Sequence, residues 1–332
     1  MTLGREAFAA IREAGEPVLL EGLVADWPLV AAARRGEASL GDYLRARAGE
    51  APIGVIEGPA AIEGRFHYDD ALRGLNFARR ESRVAALLDR LAEVSALDEP
   101  PSIAAQGIDL RAAMPRIEAE NPMPLLDPAV APRAWIGNSA KVATHHDSFE
   151  NLACVVAGRR RFTLFAPEQV ANLYMGPFAP TPAGAQVSMA HVTAPDFERF
   201  PRFRAAMDSA LTFDLEPGDA IYIPYHWYHH VESRGSLAML VNYWWNDAPA
   251  AGGSPWDAMM LGLIALRQLP PQQRRAWRAM FDRYVFQTDG PAGAHLPEAA
   301  RAILAADSDS QLSQMRRSLI DKLTRFEGGR TS

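Results

Sequence analysis

The segment from residue 135 to residue 245 carries the pattern that most constrains the fold of this chain. It consists of short runs rich in aromatic, β-branched and other apolar residues, separated by turns that contain Gly, Pro or Asp. Several short strands at such spacing predict a sandwich or a barrel. The predicted strands are residues 135–138, 149–157, 161–165, 211–215, 220–224, 229–232 and 237–245.

Two of the turns have a recognisable chemistry. Ala157-Gly158-Arg159 lies between two predicted strands and predicts a hairpin. Glu216-Pro217-Gly218-Asp219 predicts a type II turn, because Pro presets φ at the second position and Gly accepts a positive φ at the third. The second turn leads directly into the predicted strand 220–224.

The chain before residue 135 is mixed in character. Residues 96–134 are rich in proline, which predicts an irregular but ordered cover. The predicted helices here are residues 5–14, 39–48 and 81–95, and the predicted strands are residues 17–24 and 53–56.

After residue 247 the apolar residues recur at helical spacing, near residues 254–266, 271–287 and 309–325. An apolar stripe on a helix reports only burial, so these helices either pack back on the barrel or form a dimer interface. The expected division is a first domain over residues 1–248, with a mixed cover at 1–134 and a core barrel at 135–248, followed by a helical region at 249–332.

Composition limits the partners and the compartment. The 332 residues carry a formal net charge of -6, and acidic and basic residues are interspersed, so we expect neither a nucleic-acid partner nor an anionic membrane surface. Cys154 is the only cysteine, which excludes an intrachain disulfide and fits a reducing compartment. No signal-like or membrane-spanning run is present in the sequence, and we expect a cytoplasmic protein.

The chemistry of the chain is concentrated in His145-His146-Asp147 and in the histidines near residue 229. His145 and Asp147 point the same way from an extended segment, because side chains alternate with period two. With His229 they would supply the two imidazoles and one carboxylate of a non-haem iron site. A His or Asp at a strand end is also common as a solvated loop residue, so the triplet alone leaves both interpretations open.

Three motifs in order resemble those of the cupin-like JmjC oxygenases. The first is His145-His146-Asp147, the second is Asn151-Leu152 followed by Gly158-Arg-Arg-Arg-Phe162, and the third is the segment 217–229, Pro-Gly-Asp-Ala-Ile-Tyr-Ile-Pro-Tyr-His-Trp-Tyr-His. The resemblance covers most of residues 5–247. It implies a mainly β fold with flanking helices, a double-stranded β-helix of the cupin or jelly-roll type.

The resemblance also implies a chemistry. His145, Asp147 and His229 would bind Fe(II), and His229 occupies the ligand position of the family in preference to His226 and His230. Fe(II), 2-oxoglutarate and O2 would then hydroxylate a C–H bond, with release of succinate and CO2. Arg160 stands where the family places a lysine for the distal carboxylate of 2-oxoglutarate; the alternative is an exposed charge on the predicted hairpin.

Other site residues follow from the same resemblance. Asn151 and Asn242 match amides that lie near the cosubstrate, unless they bond backbone groups. Ile103 and Val142 replace a tyrosine and a hydroxyl residue of the family, so the pocket is atypical, and other groups would have to contribute. The candidates for the cosubstrate are Gln106, Tyr222 and Thr144, and the candidates for the mouth of the site, which could equally be core residues, are Trp135, His146, Tyr222, Trp227 and Tyr228.

These residues lead to a hypothesis and its alternatives. The expected substrate is an amino-acid side chain of a protein or peptide, and the alternative is a small molecule. A metalloprotein that does not use 2-oxoglutarate, or a non-catalytic sensor or binding module, would keep the same fold. The C-terminal helices resemble the dimer-forming extension of an asparaginyl hydroxylase in this family, which implies a homodimer.

Overall fold

The computed structural model describes residues 3–182, 184–248, 252–306 and 308–327. The chain divides into two compact units, Met1–Asn246 and Asp247–Ser332. The helices of the first unit are α1 Arg5–Ala14, α2 Pro28–Arg34, α3 Glu37–Arg45, α4 Val84–Val94, α5 Leu110–Ala113, α6 Arg116–Glu120 and α7 Phe203–Asp208. Its strands are β1 Val18–Leu20, β2 Ile53–Gly58, β3 Ala78–Ser82, β4 Ser102–Asp109, β5 Pro132–Gly137, β6 Ala140–His145, β7 Glu150–Phe165, β8 Leu211–Leu215, β9 Ala220–Ile223 and β10 Tyr228–Trp245.

The strands form two layers that share their two longest members. The larger layer has the order β1-β9-β7-β10-β5-β4-β2-β3, and all of its pairs are antiparallel. The other halves of β7 and β10 form a smaller layer, in which β8 pairs with β7 and β6 pairs with β10. The predicted fold class, mainly β of the cupin or jelly-roll type with flanking helices, is confirmed.

The predicted hairpin at residues 157–159 is wrong. Strand β7 runs without interruption through Gly158, and β10 also continues, with a register shift between Arg234 and Met239. Gly158 has φ 72°, and a Cβ atom there would lie 2.5 Å from the carbonyl oxygen of Arg234. Glycine and the bulge opposite therefore bend the strand pair from one layer into the other.

The two faces of the larger layer are buried in different ways. Helices α1 to α4 cover its outer face, where Phe8, Leu29 and Leu87 pack against strand residues such as Leu152 and Val241. The inner face meets the smaller layer in a separate apolar cluster: Ala153, Val155, Phe162, Leu164, Leu215, Ile221, Ile223, Trp227, Val231 and Leu240. Because this second cluster draws on both halves of β7 and β10, it is the interior of the barrel.

The proline-rich stretch is more regular than its composition predicts. Strand β4 pairs with β2 on one side and with β5 on the other, and α5 and α6 follow it. Pro100 and Pro101 precede the strand and Pro115 follows α5, so no proline interrupts a ladder hydrogen bond of β4. The prediction of an irregular cover over all of residues 96–134 is therefore wrong for this part.

The type II turn before β9 is confirmed. Gly218 has φ 111°, and the N–H of Asp219 donates to the carbonyl of Glu216 at 3.0 Å. A carboxylate oxygen of Asp219 accepts from the N–H of Glu216 at 3.0 Å, and its other oxygen accepts from Gly22 at 2.8 Å. The turn thus joins the start of β9 to the chain that follows β1.

The second unit is helical, as predicted. Its α-helices among the described residues are α8 Pro255–Leu266, α9 Pro271–Tyr284, α10 Glu298–Arg301 and α11 Asp309–Glu327. Within the described part of the chain, no helix combines the length and the apolar character needed to cross a bilayer.

Candidate metal centre

His145, Asp147 and His229 come together at one end of the smaller layer. His145 is the last residue of β6, Asp147 follows two residues later, and His229 is the second residue of β10. Strands β6 and β10 are antiparallel, with His145 directly opposite His229. The sequence predicted the alternation but not β6 itself, which is the strand that delivers the first ligand.

The geometry of these three side chains fits a metal ion. One ligand atom from each residue lies within 4.8 Å of the other two. The Nε2 atom of His229 is 3.6 Å from Oδ2 of Asp147, and the two imidazole centroids are 4.3 Å apart. This set has the composition of a two-histidine, one-carboxylate facial site, which leaves coordination positions open.

Backbone carbonyls set the tautomer of both imidazoles. Nδ1 of His145 donates to the carbonyl of Ala143 at 2.9 Å, and Nδ1 of His229 donates to the carbonyl of Trp227 at 3.1 Å. With the proton on Nδ1, each Nε2 atom keeps a free lone pair. Both rings are therefore held as metal ligands before any metal binds.

The electrostatic environment keeps His229 neutral. Its burial lowers the pKa to about 4, the neighbouring His145 acts in the same direction, and Asp147 acts in the opposite one. An imidazole with this pKa is unprotonated at neutral pH. Since a metal competes with protons for the imidazole, the site is ready to bind a divalent ion at pH 7.

Arg160 is a buried cation on the same interior surface. It lies on β7, two residues from Phe162, and is directly opposite Ser233 of β10. It is 8% exposed, its Nε has no hydrogen-bond partner, and no ion pair of its guanidinium is found among the described residues. Burial lowers the pKa of Arg160 to about 10, so the group stays charged at pH 7. The exposed hairpin charge is thus excluded, because the side chain is buried and the hairpin does not exist.

Asn151 and Asn242 meet inside the barrel. The amide of Asn242 donates to the Asn151 side-chain oxygen at 3.4 Å and accepts from the Trp135 indole N–H at 3.0 Å. Both asparagines are buried. Their side-chain amides therefore bond each other and Trp135, which leaves further donor and acceptor capacity facing the interior.

Two residues predicted near the cosubstrate lie elsewhere. Tyr222 is in the outer core, edge-on to Phe8 at 5.7 Å, because Ile221 and Ile223 take the interior positions of β9. Gln106 lines a surface pocket together with Arg79 and Arg80. The structure therefore does not support Tyr222 or Gln106 as contacts of a ligand at the metal site.

The other candidates lie at or beneath the site. Thr144 adjoins His145, and its buried hydroxyl has no hydrogen-bond partner. Trp227 packs in the interior cluster and donates from its indole to the carbonyl of Gly15 at 3.2 Å, which fixes the loop before His229. Tyr228 is buried in a third apolar cluster, on the other face of β10.

The two residues that replace polar residues of the family lie in different places. Ile103 is in the outer core, whereas Val142 packs against the interior.

A cluster of aromatic rings surrounds His146, the residue between the two ligand candidates His145 and Asp147. The ring of His146 is tilted against His226 at 4.4 Å and edge-on to Tyr228 at 5.0 Å, and Tyr225 stacks on His226 at 4.2 Å. His226 has φ 63°, a conformation that is uncommon for a residue other than glycine. Its Nε2 lies 3.2 Å from the hydroxyl of Ser148, the residue that follows Asp147, and this hydrogen bond fixes the orientation of the His226 ring.

Sequence reasoning missed two further aromatic residues at the mouth. Trp244 lies edge-on to Trp135 at 5.9 Å, and the exposed Phe149 stacks on Trp244 at 6.1 Å. The sequence did contain a signal for Trp244. Side chains alternate along a strand, so Trp244 lies on the same face of β10 as Asn242.

The barrel and the three side chains together define a cupin-type protein with a candidate facial metal site. The sequence profile of the family described as "Cupin-like domain" matches residues 5–251. Human HSPB1-associated protein 1 is 39% identical over 147 residues, which are 43% of this chain and 30% of that protein. Human "bifunctional peptidase and (3S)-lysyl hydroxylase JMJD7" is 29% identical over 239 residues, 61% of this chain and 71% of that protein.

A third relative is "lysine-specific demethylase JMJ31" of Arabidopsis thaliana, 32% identical over 114 residues, which are 34% of this chain and 20% of that protein. The match to HSPB1-associated protein 1 spans less than a third of that protein's length. The chain belongs to the cupin-like JmjC family, a family of 2-oxoglutarate oxygenases.

Proposed function

We propose that this chain is an Fe(II)- and 2-oxoglutarate-dependent hydroxylase that uses Arg160 to bind the distal carboxylate of its cosubstrate. The observation that carries the proposal is the unpaired, buried guanidinium of Arg160 on the interior surface that also bears His229. A buried charge without a partner is costly, and an anionic ligand removes that cost.

The metal would be held by Nε2 of His145, Nε2 of His229 and a carboxylate oxygen of Asp147. When bound, Fe(II) with O2 supplies the oxidation of 2-oxoglutarate to succinate and CO2 and the hydroxylation of a substrate C–H bond. The contribution of the chain is to position the ligands and to shape the interior around them. The carbonyls of Ala143 and Trp227 orient the imidazoles, and the apolar interior cluster excludes water from the reacting centre.

The strand register supports the placement of the cosubstrate. Leu164 lies opposite His229 and Arg160 lies opposite Ser233, so the two functional positions are four residues apart along the pair. This corresponds to about 13 Å between backbone positions, and alternation puts both side chains on the interior face. A five-carbon dicarboxylate with its oxo-acid end at the metal would present its other carboxylate to Arg160, which can bind it in a bidentate manner.

For the substrate we propose an amino-acid side chain of a protein or peptide. Two relatives are named as a lysyl hydroxylase and a lysine demethylase, which act on protein side chains. The mouth also carries exposed aromatic rings, with Tyr225 at 37% and Phe149 at 42% exposure. Exposed aromatic rings near the site suit contacts with a peptide whose target side chain enters the barrel. A small molecule is the second candidate.

The test is an anaerobic titration of the purified chain with Fe(II) and 2-oxoglutarate, followed by exposure to air. We expect a charge-transfer absorbance and succinate formation in the unmodified chain and in the control Arg159→Gln, since Arg159 is exposed. We expect both signals to be lost at the same 2-oxoglutarate concentration in Arg160→Gln. Metal binding without any effect of 2-oxoglutarate would instead indicate a cupin metalloprotein of another kind, or a binding module.

We also propose that the helical unit pairs with a second copy of the chain. Trp277, Met280 and Tyr284 of α9 are each between 46% and 47% exposed and follow one another at helical spacing. Leu319, Ile320 and Leu323 of α11 are similarly exposed. Large apolar side chains grouped in this way are typical of an interface, and the expected partner is the same unit of another chain.

A further inference from the structure

The C-terminal end of helix α1 contacts both segments that carry the candidate metal ligands. Arg12, in its last turn, bonds a side chain at the start of β7, three residues after Asp147. Gly15, its C-cap, bonds a side chain of the loop that leads into His229. No residue of α1 is itself a ligand candidate. The helix therefore meets the metal centre only through the segments that hold the ligands.

The first contact is an ion pair between α1 and β7. Nε and Nη2 of Arg12 donate to the two carboxylate oxygens of Glu150 at 2.6 and 3.1 Å, so the pair is bidentate. Both side chains are only partly exposed, at 28% and 21%. The guanidinium also lies 5.3 Å from the centre of the Trp245 ring, and Trp245 is directly opposite Glu150 on β10. Because a bidentate pair has a defined geometry, it fixes the start of β7 relative to α1.

The second contact joins α1 to the loop before His229. Carbonyls at a helix C-terminus lack partners within the helix, so they accept hydrogen bonds from outside it. The Gly15 carbonyl accepts from the Trp227 indole N–H at 3.2 Å. The Trp227 carbonyl in turn accepts from Nδ1 of His229 at 3.1 Å. The end of the helix is therefore connected to the His229 imidazole by two hydrogen bonds and one residue.

The helix is itself fixed on the larger layer. Phe8 is 2% exposed and lies edge-on to Tyr222 at 5.7 Å, in the outer core. At the other end of the helix, Arg5 donates to the carbonyls of Pro124 and Leu126 at 2.7 and 3.0 Å. The two ligand segments, which are far apart in the sequence, are thus held by one anchored element.

We propose that Arg12 and Trp227 are positioning residues of the metal centre. By tying both segments to the end of α1, they hold Asp147 and His229 at the separation that a metal ion requires. This inference rests on the metal site of the proposed function, and not on its use of 2-oxoglutarate. Linkage between two sites is reciprocal. Since docking of α1 increases the affinity for a divalent ion, binding of that ion strengthens the docking of α1 by the same factor.

The test is a titration of the metal-free full chain with Co(II), followed by its visible absorption bands, which report the geometry of the ligands. In Arg12→Gln the bands should shift and the affinity should fall by about tenfold, the lower limit for groups that orient a metal ligand. Arg12→Lys, which keeps the charge beside Glu150, should restore part of both. Arg5→Gln removes a guanidinium from the other end of the helix and should keep the affinity within about twofold.

A second variant and a second measurement separate positioning from a loss of folding. Trp227→Phe keeps an aromatic ring in the interior cluster but removes the N–H that donates to Gly15, and it should also shift the Co(II) bands. Hydrogen exchange of residues 5–14 should slow when Co(II) binds to the unmodified chain, by up to about tenfold, and this effect should be weaker in Arg12→Gln.

The outcomes distinguish this role from the proposed function. If Arg12→Gln melts at a lower temperature but binds Co(II) with unchanged affinity and bands, the ion pair serves stability alone and the positioning role is overturned. Hydrogen exchange of α1 that Co(II) does not slow in the unmodified chain overturns it as well. If Co(II) binds as expected while 2-oxoglutarate has no effect, the proposed hydroxylase fails and the positioning role stands. Absence of Co(II) binding by the unmodified chain overturns both.

Discussion

Arg160 and His229 lie on the two strands of one antiparallel pair, and both side chains face the interior between the layers. Arg160 is opposite Ser233, four residues along β10 from His229. The strand pair thus connects the proposed metal ligand His229 to the buried cation Arg160 by continuous backbone pairing. A ligand that contacts both must match the spacing that this register sets.

Arg160→Gln should separate binding of the cosubstrate from stability. Loss of the charged hydrogen bonds should raise the KM for 2-oxoglutarate by at least about tenfold, and Arg160→Lys should restore most of it. Without 2-oxoglutarate the Gln variant should melt at a higher temperature, since an unpaired buried charge is removed. Succinate assays and thermal melts measure the two effects. An unchanged KM beside an unchanged Arg159→Gln control would contradict the proposed role.

Acidification should destabilise the metal-free chain between pH 6.5 and pH 4. Burial lowers the pKa of His67, His146 and His229 to about 4 in the folded chain, while histidine in an unfolded chain titrates near 6.5. In this window the unfolded state binds more protons, so the free energy of unfolding falls as the pH falls. Above about pH 7.5 these groups contribute little pH dependence, because histidine is then deprotonated in both states.

The expected slope is up to about 1.4 kcal/mol per pH unit for each of these histidines. Urea unfolding at pH 7.5 and at pH 5.0 measures it. His67 lies outside the metal centre. In His67→Asn the slope should decrease by up to about 1.4 kcal/mol per pH unit, the contribution of one histidine. Equal unfolding midpoints at the two pH values in the unmodified chain would show that the imidazoles are not held neutral.

Gly158→Ala should destabilise the barrel. The φ of 72° strains any side chain, and the added Cβ would meet the carbonyl of Arg234 at 2.5 Å. We expect a loss of about 1–3 kcal/mol or more in urea unfolding. Gly54 of β2 offers a matched control, because a Cβ there would meet no atom within 4 Å. If Gly158→Ala were as stable as Gly54→Ala, the bend at Gly158 would not require glycine.

His226→Gly should relieve the positive φ of the mouth loop. The strain of a non-glycine residue there is about 1 kcal/mol, and the thermal midpoint should rise or stay constant. Fe(II) affinity should not change, since His226 is not a ligand of the triad. Substrate turnover should fall, because the ring that lies between His146 and Tyr225 is removed. A weakened Fe(II) affinity would assign His226 to the metal instead.

Trp277→Glu tests the pairing of the helical unit. A charge on the apolar face of α9 should shift the chain from dimer to monomer, as measured by sedimentation equilibrium. Arg278→Glu changes a neighbouring exposed residue by an even larger charge and should leave the dimer in place. A monomer in the unmodified chain, at concentrations of about 10⁻⁵ M, would rule out the proposed pairing.

The features predicted correctly from the sequence depend on local residue preferences. The features that were missed depend on contacts with distant parts of the chain. The turn at Pro217-Gly218 and the short apolar strands β8 and β9 follow from local preferences. Strand β6, Ala-Lys-Val-Ala-Thr-His, lacks an apolar run and is held by its pairing with β10, so no local pattern marks it. Gly158 has the composition of a turn but bends a continuous strand, because the partner strand bulges at the same level.

Some residues of the candidate site could be predicted from the sequence, and others depend on the packing of the two layers. Alternation placed His145 and Asp147 on one side of an extended segment, because the two residues are close in sequence, whereas the choice of His229 came from the resemblance of the segment 217–229 to the family motif. The burial of Arg160 depends on the bend at Gly158, and the displacement of Tyr222 to the outer core depends on which face of β9 meets the helices. Neither could be derived before the layers were known.

The shared long strands also bear on selectivity for the length of an acid. Arg160 and His229 keep their separation because every residue between them is paired across β7 and β10. A shift of the register by one residue would change that separation by about 3.3 Å, more than two carbon–carbon bonds, and would turn Arg160 to the other face. Under the proposed binding of the distal carboxylate by Arg160, this fixed separation disfavours a dicarboxylic acid one or two carbons shorter, which would not reach both groups.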